Sequence, residues 1–119
     1  MVIYNLTLVK AFLSYSEEFW VFISSRIIYV DSTIPGNEIF YDTFMRFDSQ
    51  NKLQDIKVMI PSIIDLNTAL ITTHELKHAY DLYLRLGQEI DEEHESFEED
   101  AIAVEKEFVK KYSDIKHNI

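Results

Sequence analysis

The sequence has no cysteine. Disulfides, thiolate metal sites and cysteine nucleophiles are therefore excluded. It has only two glycines and two prolines, which rules out a glycine-rich loop cradling phosphates. Long apolar runs are missing as well. The longest uninterrupted one is Phe19–Ile23, against the roughly 20 residues that a membrane-spanning helix needs. Positive charge is scarce: 11 Lys plus Arg stand against 21 Asp plus Glu, a net charge of −10. Nucleic acids and anionic membranes would repel such a chain, and neither is expected as a partner. The N-terminus shows no basic stretch leading into an apolar core and a small-residue cleavage site. The chain is thus expected to act in the cytoplasm, or inside a particle assembled there.

What is present is a folding sequence. Of 119 residues, 47% are hydrophobic and 13% aromatic, enough for a single core and one domain over residues 1–119. The acid surplus is concentrated. Glu89, Asp91, Glu92, Glu93, Glu95, Glu98, Glu99 and Asp100 fall in a segment without Lys or Arg, which reads as a solvated link between two helices.

Periodicity gives the outline. Residues 2–9 read as a short strand or the lead-in to a helix, and 11–25 as a helix with Phe12, Phe19, Phe22 and Ile23 on one face. β-branched and aromatic residues at 26–31 predict a strand. Ile34-Pro35-Gly36-Asn37 is a turn. Residues 38–47 and 53–60, joined by a polar loop, predict a β-hairpin. Asp65 is a good helix N-cap and Gly87 a good residue to follow a helix end, bracketing a helix over 66–86. A last helix is expected at 95–112. The order implies an α+β domain, with a small antiparallel sheet packed against a central helix and a C-terminal helix.

The central helix carries His74-Glu75-Leu76-Lys77-His78, the His-Glu-x-x-His pattern. Helical spacing of four sets both imidazoles on one face, one turn apart, able to grip one cation. Glu75 is turned about 100° from His74, placing it beside such a metal as a general base for water rather than as a ligand. Asn67, His74, His78, Asp81 and Arg85 share a polar stripe on a helix that is otherwise largely apolar. Polar groups in line on such a helix need partners or a metal. Asp81 could orient a histidine ring or pair with Arg85 one turn on.

A zinc site needs a third protein ligand. On the last helix, Phe97, Ala101, Val104, Phe108 and Tyr112 form an apolar stripe, and Glu98 and Glu105 fall inside it. Carboxylates on an apolar face require a compensating partner. Glu98 is expected as the third ligand. Glu105, two turns further on, is expected to hold a histidine tautomer or to pair with Arg85. The open alternative is that both simply pair with Lys or Arg. Tyr80, Tyr83, Tyr112, His94 and His117 are all candidates for stabilising an oxyanion.

Over about residues 56–112 the chain resembles the gluzincin branch of zinc metallopeptidases. His74-Glu75-Leu76-Lys77-His78-Ala79 is similar to that family's His-Glu-x-x-His helix, and Glu98-Glu99-Asp100-Ala101 to its Glu-x-x-Ala on the next. The resemblance implies Zn2+ bound by His74, His78 and Glu98, with Glu75 as general base, and the strand at 53–60 lining a substrate cleft. Ile102 stands where many gluzincins carry an acidic residue. At this length the domain would be a minimal zincin-like one with a shallow cleft.

Three functions compete. The first is a zinc-dependent metallopeptidase acting on a peptide or protein substrate. The second is a weak or inactive zincin-like domain kept for structure or for a protein partner or self-association, as in a virus particle or toxin-type assembly. The third is a buried polar network without metal.

Overall fold

The computed structural model describes residues 2–90 and 94–112, with the backbone alone at 94–96. Four helices and three strands follow in the order α1 (Leu6–Leu13), α2 (Glu17–Ser24), β1 (Ile27–Val30), β2 (Asp42–Phe47), β3 (Leu53–Pro61), α3 (Leu66–Tyr83) and α4 (His94–Tyr112). This is an α+β fold. None of the described helices is long and apolar enough to cross a membrane.

The helix expected at 11–25 is two helices, and the serines explain the break. Ser14 closes α1 in the left-handed region (φ 54°) with its N–H on the Lys10 carbonyl. Two residues later the Ser16 hydroxyl accepts the Phe19 N–H and opens α2. Glu17 and Glu18 then sit in the first turn, where the helix dipole favours acids. Residues 2–9 resolve as a lead-in: Asn5 caps α1 by accepting from Leu8 N at 2.8 Å.

β3 is the central strand, paired antiparallel with β2 and parallel with β1. The hairpin forms as expected, with Asp48 Oδ1 accepting the N–H groups of Gln50 and Lys52 in its turn. The sheet is nevertheless mixed rather than antiparallel throughout. β2 is also shorter than expected, because a 3-10 turn at Asn37–Phe40 follows Gly36, whose φ of 91° directs the chain away from strand geometry.

Asp65 caps α3 in a reciprocal capping box with Thr68. The helix stops at Tyr83, short of the expected Leu86. Gly87 still turns the chain at φ 85°. Its N–H reaches the Leu53 carbonyl and Leu53 N–H reaches the Gln88 carbonyl, both at 2.8 Å. That pair ties the exit of α3 to the start of β3. The core joins Leu53, Ile56, Val58 and Ile60 of the sheet to Leu76, Ala79 and Leu82 of α3, Val9 of α1, Phe19 and Ile23 of α2, and Phe97 and Phe108 of α4. α3 is thereby held between the sheet and α4, which fixes the direction in which its polar residues point.

Candidate metal centre

His74 and His78 stand one turn apart on α3, and Glu98 comes from the first turns of α4. Glu98 Oε1 lies 2.9 Å from His74 Nε2, and Glu98 Oε2 lies 3.0 Å from His78 Nε2. The two Nε2 atoms are 3.1 Å apart, with the rings nearly edge to face at 79°. Among the described residues this is the group of His and acidic side chains close enough to share one cation. Glu105 arrives from two turns further along α4 and places Oε2 3.0 Å from His74 Nδ1. His74, His78, Glu98 and Glu105 are thus brought together as the helical phases predict.

The chemistry of these donors suits a metal. The Nδ1–H of His74 can donate to Glu105, which leaves a lone pair on Nε2. That lone pair faces the Glu98 carboxylate and the second histidine nitrogen. Three electron-rich atoms at such separations repel unless a proton or a cation lies among them. Donors placed tetrahedrally about zinc at ~2.0–2.1 Å are roughly 3.3 Å apart. The observed separations of 2.9–3.1 Å are therefore within a few tenths of an ångström of a zinc set. A proton on His78 Nε2, donated to Glu98 or to His74 Nε2, is a metal-free way to satisfy the same atoms.

Glu75 flanks this group without joining it. It is 8% exposed, and Thr43 Oγ1 of β2 lies 2.9 Å from its Oε1 and 3.0 Å from its backbone carbonyl. The hydroxyl proton is shared between these acceptors and pins Glu75 to the sheet. Burial pushes the Glu75 carboxyl above its ordinary range; the Thr43 hydrogen bond and nearby His74 pull the other way, while Asp42 and Glu98 add to the rise. A cavity of about 220 Å³ opens here. It is lined by the polar side chains of Asp42, Thr43, His74, Glu75, His78 and Glu98 together with the apolar ones of Met45, Leu82, Ile90 and Phe97.

Two expected supporting residues lie elsewhere. Asp81 Oδ1 takes Lys77 Nζ at 2.9 Å rather than a histidine ring or the Arg85 side chain, because Lys77 lies one turn back on the same side of α3. Its Oδ2 is buried with no hydrogen-bond partner among the described residues. Arg85 donates to the Asp81 carbonyl at 3.1 Å and lies over the Phe97 ring, which braces the junction of α3 with α4. The Tyr80 ring stacks on Tyr15 at 4.0 Å, and Tyr83 packs on Phe19 and Phe22. Tyr112 packs on Phe12 and Phe108. None of these three tyrosines is among the residues that line the cavity. The His94 side chain and His117 lie outside the described residues. Thr43 and Asp42 were not among the candidates; a threonine and an aspartate at a strand start carry no mark until the sheet's register brings them to α3.

Compared with models of protein families, with curated proteins and with solved structures, the chain matches none.

Proposed function

We propose that this chain is a zinc-dependent metallopeptidase of the gluzincin kind, hydrolysing peptide bonds with Glu75 as general base. The observation that carries the reading is the meeting of His74, His78 and Glu98 beside a buried glutamate at the rim of one cavity. Zinc held by these three side chains would supply Lewis acidity, polarising a peptide carbonyl and acidifying water. Glu75 takes the proton from the attacking water and returns it to the departing amine nitrogen. Its place beside the proposed ligands and at the cavity suits it to carry that proton. Thr43 fixes Oε1, leaving Oε2 as the oxygen that does this work. Glu105 holds the tautomer of His74 that presents Nε2 to the metal.

The test is elemental analysis together with cleavage of a mixed peptide pool by wild type and by Glu75→Gln. Bound zinc, cleavage by wild type and loss of cleavage in the variant support the reading. Cleavage that survives Glu75→Gln, or a zinc-loaded wild type that cleaves nothing, ends it.

A specific feature favours the second reading, a catalytically weak zincin-like domain with a partner-binding role, as in a virus particle or toxin-type assembly. β2 is an edge strand, and Phe44, Met45 and Phe47 along it are exposed. Exposed apolar side chains on an unpaired edge suit a protein partner or a second copy. Cleavage separates the two: the peptidase cleaves peptides when zinc-loaded and stops on chelation, whereas the partner-binding domain holds zinc and cleaves nothing. A cytoplasmic setting, or a particle assembled there, belongs to both readings. Without cysteine the fold needs no oxidising compartment.

A further inference from the structure

Resting on the peptidase reading of this cavity, we infer that the site selects substrates carrying a basic side chain, arginine or lysine, next to the bond that is cut, with Asp42 as the residue that reads it. Three carboxylates, Asp42, Glu75 and Glu98, line the cavity, and among the described residues that line it there is no Lys or Arg. Two of them have duties: Glu98 faces the histidines and Glu75 is held by Thr43. Asp42 is left over. It is exposed at the first residue of β2, and its hydrogen bond is the local one from Thr43 N to Oδ1 at 2.8 Å. Two cations of the same hairpin are engaged elsewhere, Arg46 on Asp55 and Gln54 and Lys57 over the Phe44 ring.

The rest of the cavity fits the same ligand. Met45, Leu82, Ile90 and Phe97 line the same cavity as the carboxylates. A long basic side chain also has two parts, an aliphatic stem and a charged head. Its stem covers the apolar side chains while its head pairs with Asp42. About 220 Å³ is room for one such side chain rather than for a length of folded chain. A glutamate in its place would meet the Asp42 carboxylate. Like charges so placed exclude a ligand more firmly than a neutral side chain would. The chain's net charge of −10 adds long-range attraction for a basic peptide.

The experiment uses the full chain loaded with zinc and three pentapeptides of alanine and phenylalanine that differ at one position, arginine, glutamine or glutamate. Binding is measured by calorimetry on Glu75→Gln, so that turnover does not interfere, and cleavage is measured separately on wild type. The expected result is that the arginine peptide binds about tenfold tighter than the glutamine peptide, and that the glutamate peptide binds most weakly. Introducing Asp42→Asn should remove most of the preference, and Asp42→Lys should turn it towards glutamate. The preference should shrink as salt is raised. Equal binding of the three peptides, no binding of any, or a preference that survives Asp42→Asn overturns the inference. Cleavage of all three at one rate also overturns it and leaves the peptidase reading standing. Binding preference without cleavage of any peptide sinks the peptidase reading and leaves Asp42 as a reader of basic side chains.

Discussion

Zinc should raise the thermal stability of this protein by a calculable amount. The three proposed ligands lie on two helices, His74 and His78 on α3 and Glu98 on α4. An unfolded chain does not hold them within 3 Å of each other, so metal affinity for the folded state becomes folding free energy. At a free zinc concentration a hundredfold above Kd, the gain is about 2.7 kcal/mol. For a domain of this length each kcal/mol moves the midpoint by roughly 4 °C, and the two figures together predict a rise of about 10 °C. Calorimetry reads it directly, and Trp20, packed between Phe19 and Tyr15, gives a fluorescent probe of the same transition. The comparison that matters is the zinc-induced shift within each variant, since removing a ligand also alters the metal-free protein. His78→Asn and Glu98→Gln should abolish the shift. Glu75→Gln should keep it, because Glu75 stands beside the ligands and is not one of them. The shift should also shrink on acidification, since histidines bind metal only after giving up a proton. A rise that magnesium reproduces, that survives Glu98→Gln, or that disappears with Glu75→Gln would refute the assignment of ligand and base.

Other outcomes follow from single contacts. Glu105→Gln should weaken zinc binding by about 10–100-fold, measured by competition with a chelator, because the Nδ1 contact at 3.0 Å sets the His74 tautomer. Thr43→Val should lower kcat about tenfold with zinc stoichiometry and KM little changed, and Thr43→Ser should restore it, since only the hydroxyl reaches Glu75. Away from the site, Asp55→Asn should cost ~1 kcal/mol in urea denaturation at pH 7. The Arg26 guanidinium, 2.6 Å away, holds the Asp55 carboxyl below its ordinary range. A depressed carboxyl adds stability above its unfolded pKa and loses it as pH falls through the folded one. The difference between wild type and variant should therefore fade as the solution is made more acid than pH ~4.

The parts of the fold that could be read from residues alone are those fixed by neighbours close in sequence. Asp65 announces α3 because its partner in the cap is three residues away. The hairpin follows from two alternating runs and one polar turn. Apolar periodicity at 11–25 runs straight through Ser14 and Ser16, however, and only their capping hydrogen bonds divide it. The parallel pairing of β1 with β3 matches Ile27 to Val58, a choice no local pattern encodes. Thr43 and Asp42 reach the cavity through the β2–β3 register and the packing of that hairpin on α3.

Helical phase turns Glu98 and Glu105 towards the histidines but leaves Asp81 with Lys77, and the two outcomes have one physical cause. Phase tells which way a side chain leaves its helix. It does not tell which charge meets it first. Glu98 and Glu105 lie on α4 and face α3, where the groups awaiting them are the imidazoles of His74 and His78. Asp81 leaves α3 on the same stripe as those histidines, but Lys77 stands one turn back on its own helix and reaches Oδ1 at 2.9 Å. An i,i+4 pair needs only helix formation to bring its members together, whereas a bond to a ring or to another helix must also wait on tertiary packing. Local pairing therefore takes precedence wherever both are available. Neither His74 nor His78 has a carboxylate four residues away on α3, and the carboxylates that reach their rings come from α4.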